Sequence, residues 1–221
     1  MNETWALVVD SFWPLLWAGL SATIPLALAS FAIGLVIALG LALMRISANP
    51  VLSGIARSYI SVIRGTPLLV QLFVIFYGLP SVGVTIDPWP SAIIAFSANV
   101  GGYAAEIIRA AIQSVPKGQW EAAHMIGMSN RLALRRIILP QAARVSVPAL
   151  SNTFISLVKD TSLASAILVT ELFRKSQEIS AASNEVLVIY IEAAAVYWVI
   201  CLVLSFGQSS LEGRFDRYVA R

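Results

Sequence analysis

Apolar residues run almost unbroken through long stretches of this chain, and charged positions gather at their edges. No Asp, Glu, Lys or Arg occurs between Asp10 and Arg45, between Arg64 and Asp87, or between Asp87 and Glu106. A helix needs about 20 apolar residues to cross the hydrocarbon core of a bilayer. Backbone facing lipid must also satisfy its own hydrogen bonds, which excludes irregular structure there. The pattern predicts an all-α membrane protein, one transmembrane domain over 1–221, with spans at 12–44, 58–79, 90–113, 138–158 and 186–207. The first span is long enough to include a tilted or interfacial lead-in, with kinks expected at Pro14 and Pro25. Pro80 to Pro90 reads as a turn-rich loop. The segment from Asp160 to Glu185 is too polar to cross, and Leu163, Ile167, Leu168, Leu172 and Phe173 predict a short helix at the outer interface, ending near Ser180.

Composition agrees. The chain is 58% hydrophobic and 12% charged, with a mean hydropathy of +0.79, whereas soluble domains carry roughly twice that charged fraction. The segment Met1–Ser11 has acidic Glu3 and Asp10 and no basic residue, unlike a cleaved leader, so the first span is expected to be retained. Cys201 lies in the last apolar run and reads as a small packing residue. Lys and Arg are unevenly shared between the two sides. Arg45, Arg57, Arg64, Arg109, Lys117, Arg131, Arg135, Arg136, Arg144, Arg214, Arg217 and Arg221 fall on one side, and Lys159, Arg174 and Lys175 on the other. By the positive-inside rule the N-terminus lies outside and the C-terminus in the cytoplasm. This bias also accounts for a pI near 9.2 without any nucleic-acid partner.

The third loop, about 114–139, is too long to be a plain connector. Trp120 to Ile126 makes two helical turns, Gly127 suits the left-handed position after them, and Ser129 can cap a second helix. That helix carries Arg131, Arg135 and Arg136 outward and apolar residues inward until Pro140 bends the chain into the fourth span. Anchorage in lipid at both ends argues against a DNA-binding helix–turn–helix and for a docking site for another protein.

Polar residues inside spans are the other candidates, because they normally face a bundle interior or a cavity. Asn152, Thr153, Ser156, Lys159 and Asp160 recur at helical spacing in the fourth span. Ser151 and Thr153 also suit interhelical packing. Asp160 can hold an ammonium, or can pair with the adjacent Lys159. Gln71 in the second span wants a partner, and cavity lining is one role for it; Thr66 and Tyr77 share that span. Asn99, Tyr103 and Glu106 form one face of the third span, where Glu106 and Arg109 are placed to form an ion pair. Glu192 reads as interhelical and His124 as a polar surface residue. None of the three lysines is preceded by glycine, so the phosphate-binding loop pattern is absent.

Several segments taken together carry a resemblance. Glu121-Ala-Ala, Gly127, Ile137 and Leu139-Pro140 match the EAA loop of ABC-importer permeases. Arg64-Gly-Thr-Pro-Leu-Leu-Val-Gln71, Tyr77-Gly-Leu-Pro80, Tyr103-Ala-Ala-Glu-Ile107, Gly118-Gln-Trp-Glu121, Ile138-Leu-Pro-Gln-Ala-Ala-Arg144 and Lys159-Asp-Thr-Ser-Leu163 resemble the permeases of polar amino acid importers over nearly the whole chain. Within that group, L-cystine permeases look most similar. The resemblance implies the five-span type I importer fold in a bacterial inner membrane. It also implies a cytoplasmic ABC ATPase dimer, a second permease copy or close paralogue, and a periplasmic or tethered substrate-binding protein. It implies no cofactor in this chain, with ATP and Mg held by the ATPase, so the chain is not itself an enzyme. It assigns ATPase coupling to Glu121, Ala122, Ala123, Gly127, Ile137, Leu139 and Pro140. The substrate pathway is expected at Gln71, Asn152, Thr153, Ser156 and Asp160, since in the family the helix entering Lys159-Asp-Thr-Ser-Leu163 lines the cavity. The rival is a carrier driven by an ion gradient, with Glu106, Asp160 or Glu192 as relay; a scaffold that transports nothing is a second.

Overall fold

Pro67 sets the shape of the second span. A proline pushes the residue before it into extended conformation, and Thr66 sits at φ −121° and ψ 144°. The computed structural model, which describes residues 2–216, therefore breaks the expected 58–79 span in two. Pro50–Gly65 and Leu68–Val82 meet at 104°. The described elements run α1 (Asn2–Ala18), α2 (Ile24–Ile46), α3 (Pro50–Gly65), α4 (Leu68–Phe73), α5 (Pro88–Ser114), α6 (Lys117–Met125), α7 (Asn130–Ala133), α8 (Leu139–Asp160), α9 (Leu172–Ser183) and α10 (Val186–Asp216). No strand occurs among the described residues. Three helical runs, Thr4–Ile46, Pro88–Ser114 and Val186–Gly213, are long and apolar enough to cross a membrane. The bent pairs Pro50–Gly65 with Leu68–Val82 and Asn130–Ile167 with Leu172–Ser183 bring the number to five when each counts as one span.

Three prolines are absorbed rather than breaking their helices. Widened π turns at Gly19–Thr23, Val74–Gly78 and Leu134–Ile138 lie just before Pro25, Pro80 and Pro140. In each, the residue before the proline bonds the carbonyl five back: Ile24 to Gly19, Leu79 to Val74, Leu139 to Leu134. A proline ring collides with the carbonyl four residues earlier, and one extra residue in the turn moves that carbonyl aside. The helix consequently passes through Pro140 in one run, Asn130–Ile167.

The centre of the fold is the α2–α5 contact. Gly34 lies against Val100, Gly101 against Ile37, and Gly102 against Ile63 of α3, so closely that an added Cβ would fall 2.6, 2.7 and 2.8 Å from those side chains. Without a hydrophobic drive between helices in lipid, such close backbone approach supplies the packing energy.

The segment after Asp160 departs from the expected single helix beginning at Leu163. Thr161–Ile167 is a 3-10 turn, Leu168 is left-handed at φ 67°, and α9 starts only at Leu172. Glu171 determines that start. Its side chain caps α9 by accepting from Arg174 N at 2.8 Å, and also accepts from Tyr197 Oη at 2.6 Å and Thr23 Oγ1 at 3.3 Å. Fully buried, it ties α9 to α10 and to the turn between α1 and α2. Glu171→Ala should remove the cap and leave the Tyr197 hydroxyl without its acceptor, costing about 2 kcal/mol or more. Thermal unfolding of the purified chain in detergent should shift down by several degrees, and Glu171→Gln should shift it less.

Candidate functional site

The break between α3 and α4 opens one wall of a cavity of about 850 Å3. Arg64, Thr66, Pro67 and Leu68 come from the break, Asn99, Tyr103, Glu106 and Arg109 from α5, and Asn152, Thr153, Ser156 and Asp160 from α8. The helical repeat explains the α8 wall, since residues four apart share a face. Four of the five pathway candidates thus meet in one cavity. Asn152 Oδ1 accepts from Gln208 Nε2 of α10 at 3.1 Å, and Thr153 Oγ1 donates to the Ala149 carbonyl of its own helix at 2.9 Å.

Gln71 is not among the residues lining this cavity. Its Nε2 donates to the Ile63 carbonyl at 2.8 Å and to Thr66 O and Oγ1 at 3.2 and 2.9 Å, and its Oε1 accepts from Asn99 Nδ2 at 3.3 Å. A broken helix leaves carbonyls without partners, and Gln71 supplies donors to them. The partner that this polar residue required is therefore the helix break itself.

Arg64, counted from the sequence with the basic residues of the cytoplasmic side, lies at the end of α3 in the cavity wall. Its side chain lies beside Gly102, with Cγ 3.8 Å from where a Cβ would sit, and its guanidinium is 5.3 Å from the Tyr103 ring centroid. Both residues are near the midpoint of the 27-residue α5. Glu106 does pair with Arg109, at 2.7 and 2.9 Å, and Arg45 of α2 joins at 3.4 Å. Glu192 bonds Ser11 of α1, an interhelical contact. His124 Nε2 lies 2.6 Å from Asn130 Oδ1 on the exposed surface.

Around α6 the local chemistry follows the sequence. Gly127 is left-handed at φ +77°. Met128 N donates to Ala123 O at 3.0 Å and Gly127 N to His124 O at 2.9 Å, the paired bonds of a Schellman helix end. Ser129 Oγ accepts from Leu132 N as the cap of α7. Glu121, Ala122, Gly127 and Pro140 are exposed, whereas Ala123 is buried, as is Ala133 of α7, and Ile137 and Leu139 are half-buried. Ala123 therefore serves the contact between α6 and α7. Two exposed residues were missed: Met125 and Ile126, 86% and 75% accessible, form an apolar tip on α6. Their signal was an apolar pair just before the turn glycine. Trp120, Ile137 and Leu139 pack on a buried cluster of Ala111, Ile112, Val115, Ile138 and Ala142, so α6 is rooted in α5 and α8, two walls of the cavity.

Residues 30–217 match the family described as "Binding-protein-dependent transport system inner membrane component". The chain is 62% identical over 218 residues to the L-cystine transport system permease protein TcyB of Bacillus subtilis, covering 98% of this chain and 93% of that one. It is 42% identical over 209 residues to the nopaline transport system permease protein NocM of Agrobacterium fabrum, covering 90% and 86%. A crystal structure of an amino acid ABC transporter with histidines superposes with a TM-score of 0.87 at 39% identity, covering 93% of this chain and 96% of that one.

Proposed function

The chain belongs to the family of binding-protein-dependent transport system inner membrane components and is an amino-acid permease of the ABC type, and we propose that its cargo is L-cystine. The 62% identity to an L-cystine permease over 98% of the chain carries this choice of cargo. The chain sits in a bacterial inner membrane with its N-terminus outside. Two permeases, identical or paralogous, enclose the pathway, and a periplasmic or tethered binding protein delivers the amino acid. A pair of cytoplasmic ATPases docks on α6, holding the ATP and Mg that this chain does not bind.

The mechanics follow from the packing. ATPase closure displaces the exposed face of α6, at Glu121, Ala122, Met125 and Ile126. Trp120 and the buried cluster pass that displacement to α5 and α8, which carry Asn99, Tyr103, Asn152, Thr153, Ser156 and Asp160. A stiff element with different contacts in two states is what such coupling requires. Of the three relay carboxylates considered for an ion-driven carrier, Glu106 is held by Arg45 and Arg109 and Glu192 is bonded to Ser11 away from the cavity; Asp160 does line the cavity, but a carrier using it would leave the exposed α6 unit without a purpose.

Cells deficient in cystine import should regain uptake of labelled L-cystine when this chain is expressed with its ATPase and binding protein. Restoration of uptake for a different amino acid alone would reject the cargo. The paired change Met125→Asp and Ile126→Asp should weaken co-purification of the ATPase at least tenfold, while Val51→Asp, also on an exposed apolar residue, should leave it intact.

A further inference from the structure

Residues 130–167 form one helical run although Pro140 lies inside it. The turn that makes this possible, Leu134–Ile138, is closed by the bond from Leu139 N to the Leu134 carbonyl, five residues back instead of four. The helix has separate duties on its two sides. Before the turn, α7 packs on α6, the unit to which the ATPase is assigned above; after it, α8 lines the cavity. Of the widened turns that precede Pro25, Pro80 and Pro140, the last joins those two parts.

The extra residue sets an angle. An α-helix turns about 100° per residue, so in an unbroken helix Ala133 and Ile138 would point about 140° away from each other. A turn that takes in one more residue brings them to about 40°. Both are fully buried, against different neighbours. Ala133 lies on α7, which packs on α6, and Ile138 belongs to the cluster of Ala111, Ile112, Val115 and Ala142. Trp120 of α6 packs on that same cluster, so the face of α7 that meets α6 must agree with the face that buries Ile138. With an ordinary turn the two faces diverge and one contact opens. Gln141 spans the same joint: its Nε2 donates to the Ile137 carbonyl at 3.0 Å and to Gln119 Oε1 of α6 at 3.3 Å.

Pro140 keeps the turn wide. It has no N–H to offer the Arg136 carbonyl, and in an α turn its ring would collide with that carbonyl. An alanine there supplies the missing donor and makes the ordinary four-back ladder available again.

We propose that Pro140 is a positioning residue for coupling: by holding one extra residue in the turn Leu134–Ile138, it fixes the angle about the helix axis at which α6 is presented relative to the cavity-lining α8. This rests on the docking role proposed for α6 and adds what sets its direction.

The test is made by removing one residue. Deletion of the exposed Arg136 shortens the turn, yet Pro140 still demands a wide one, so a residue is drawn in from α7 and α6 turns by about 100°. Pro140→Ala lets the turn close with its extra residue retained, and α6 turns the opposite way. The two changes together give an ordinary α turn in the wild-type phase. In proteoliposomes of the permease–ATPase complex with loaded binding protein, each single change should cut ATP-driven uptake of labelled L-cystine below a tenth of wild type. The combination should recover at least half. Two merely structural losses would not cancel in this way. The distance between spin labels on Lys117→Cys and Val145→Cys, both exposed positions, in a Cys201→Ser chain, should shift by several ångströms in each single change and return in the combination. Where a single change lowers recovery from membranes, recovery is the readout, and the combination should restore it. A combination no better than the deletion alone, or wild-type uptake with unshifted distances in Pro140→Ala, would overturn the inference. Distances that shift and return while uptake stays at wild-type level throughout would instead reject the docking role of α6.

Discussion

A Gly127→Val chain should insert, fold and still bind its ATPases, yet import substrate at less than a tenth of the wild-type rate. Gly127 ends α6 at φ +77°, where a β-branched residue is strongly disfavoured. Nothing lies within 4 Å of the position a Cβ would take, so the penalty is backbone strain alone, about 1–3 kcal/mol. Relieving it requires undoing the bonds from Gly127 N to His124 O and from Met128 N to Ala123 O, which re-aims α6 relative to α7. The expected signature is ATP hydrolysis that no longer responds to the loaded binding protein. Gly127→Asn, which tolerates left-handed backbone, should keep most of the transport. Wild-type uptake in the valine variant would show that the orientation of α6 carries no coupling.

Gly34→Leu should have the largest effect on the fold. A Cβ there would fall 2.6 Å from both Cβ and Cγ1 of Val100, too close for real atoms, and the rest of the leucine would enlarge the clash. Overpacking costs about 1–3 kcal/mol even where neighbours adjust, and α2 and α5 form the main interhelical contact. Little monodisperse protein should be recovered from membranes by fluorescence-detected size exclusion. Gly40→Leu is the control on the same helix, with nothing within 4 Å of its Cβ position, and should be recovered like wild type. Equal recovery of the two would contradict the close α2–α5 approach.

The helices and the helix–glycine–helix unit of α6 and α7 were readable from the chain because their signals are local. Charge-free runs mark helices in lipid, and the spacing from Glu121 through Gly127 to Ser129 uses bonds that span only a few residues. The α8 face could likewise be drawn from period alone, and Asn152, Thr153, Ser156 and Asp160 do line one cavity. What was hidden depends on the 104° break. Arg64 counted only as one more basic residue of its side because the charge-free run begins just after it; the turn at Thr66-Pro67 sets it against the middle of α5. Gln71 looked like a lining residue because polar groups in apolar runs usually are, but the break created backbone acceptors closer to hand. Glu171 lay in a polar stretch with no period to distinguish it, and its partners Thr23 and Tyr197 are distant in sequence. The glycine contacts at 34, 101 and 102 need pairings between helices that no single helix encodes.

The most direct measurement is uptake of labelled L-cystine into proteoliposomes holding the purified permease–ATPase complex, with loaded binding protein outside and nucleotide supplied on the ATPase side. Accumulation should require ATP, cease with a non-hydrolysable analogue, and be indifferent to collapse of proton and sodium gradients. Accumulation that proceeds without nucleotide and follows an imposed ion gradient would contradict the account.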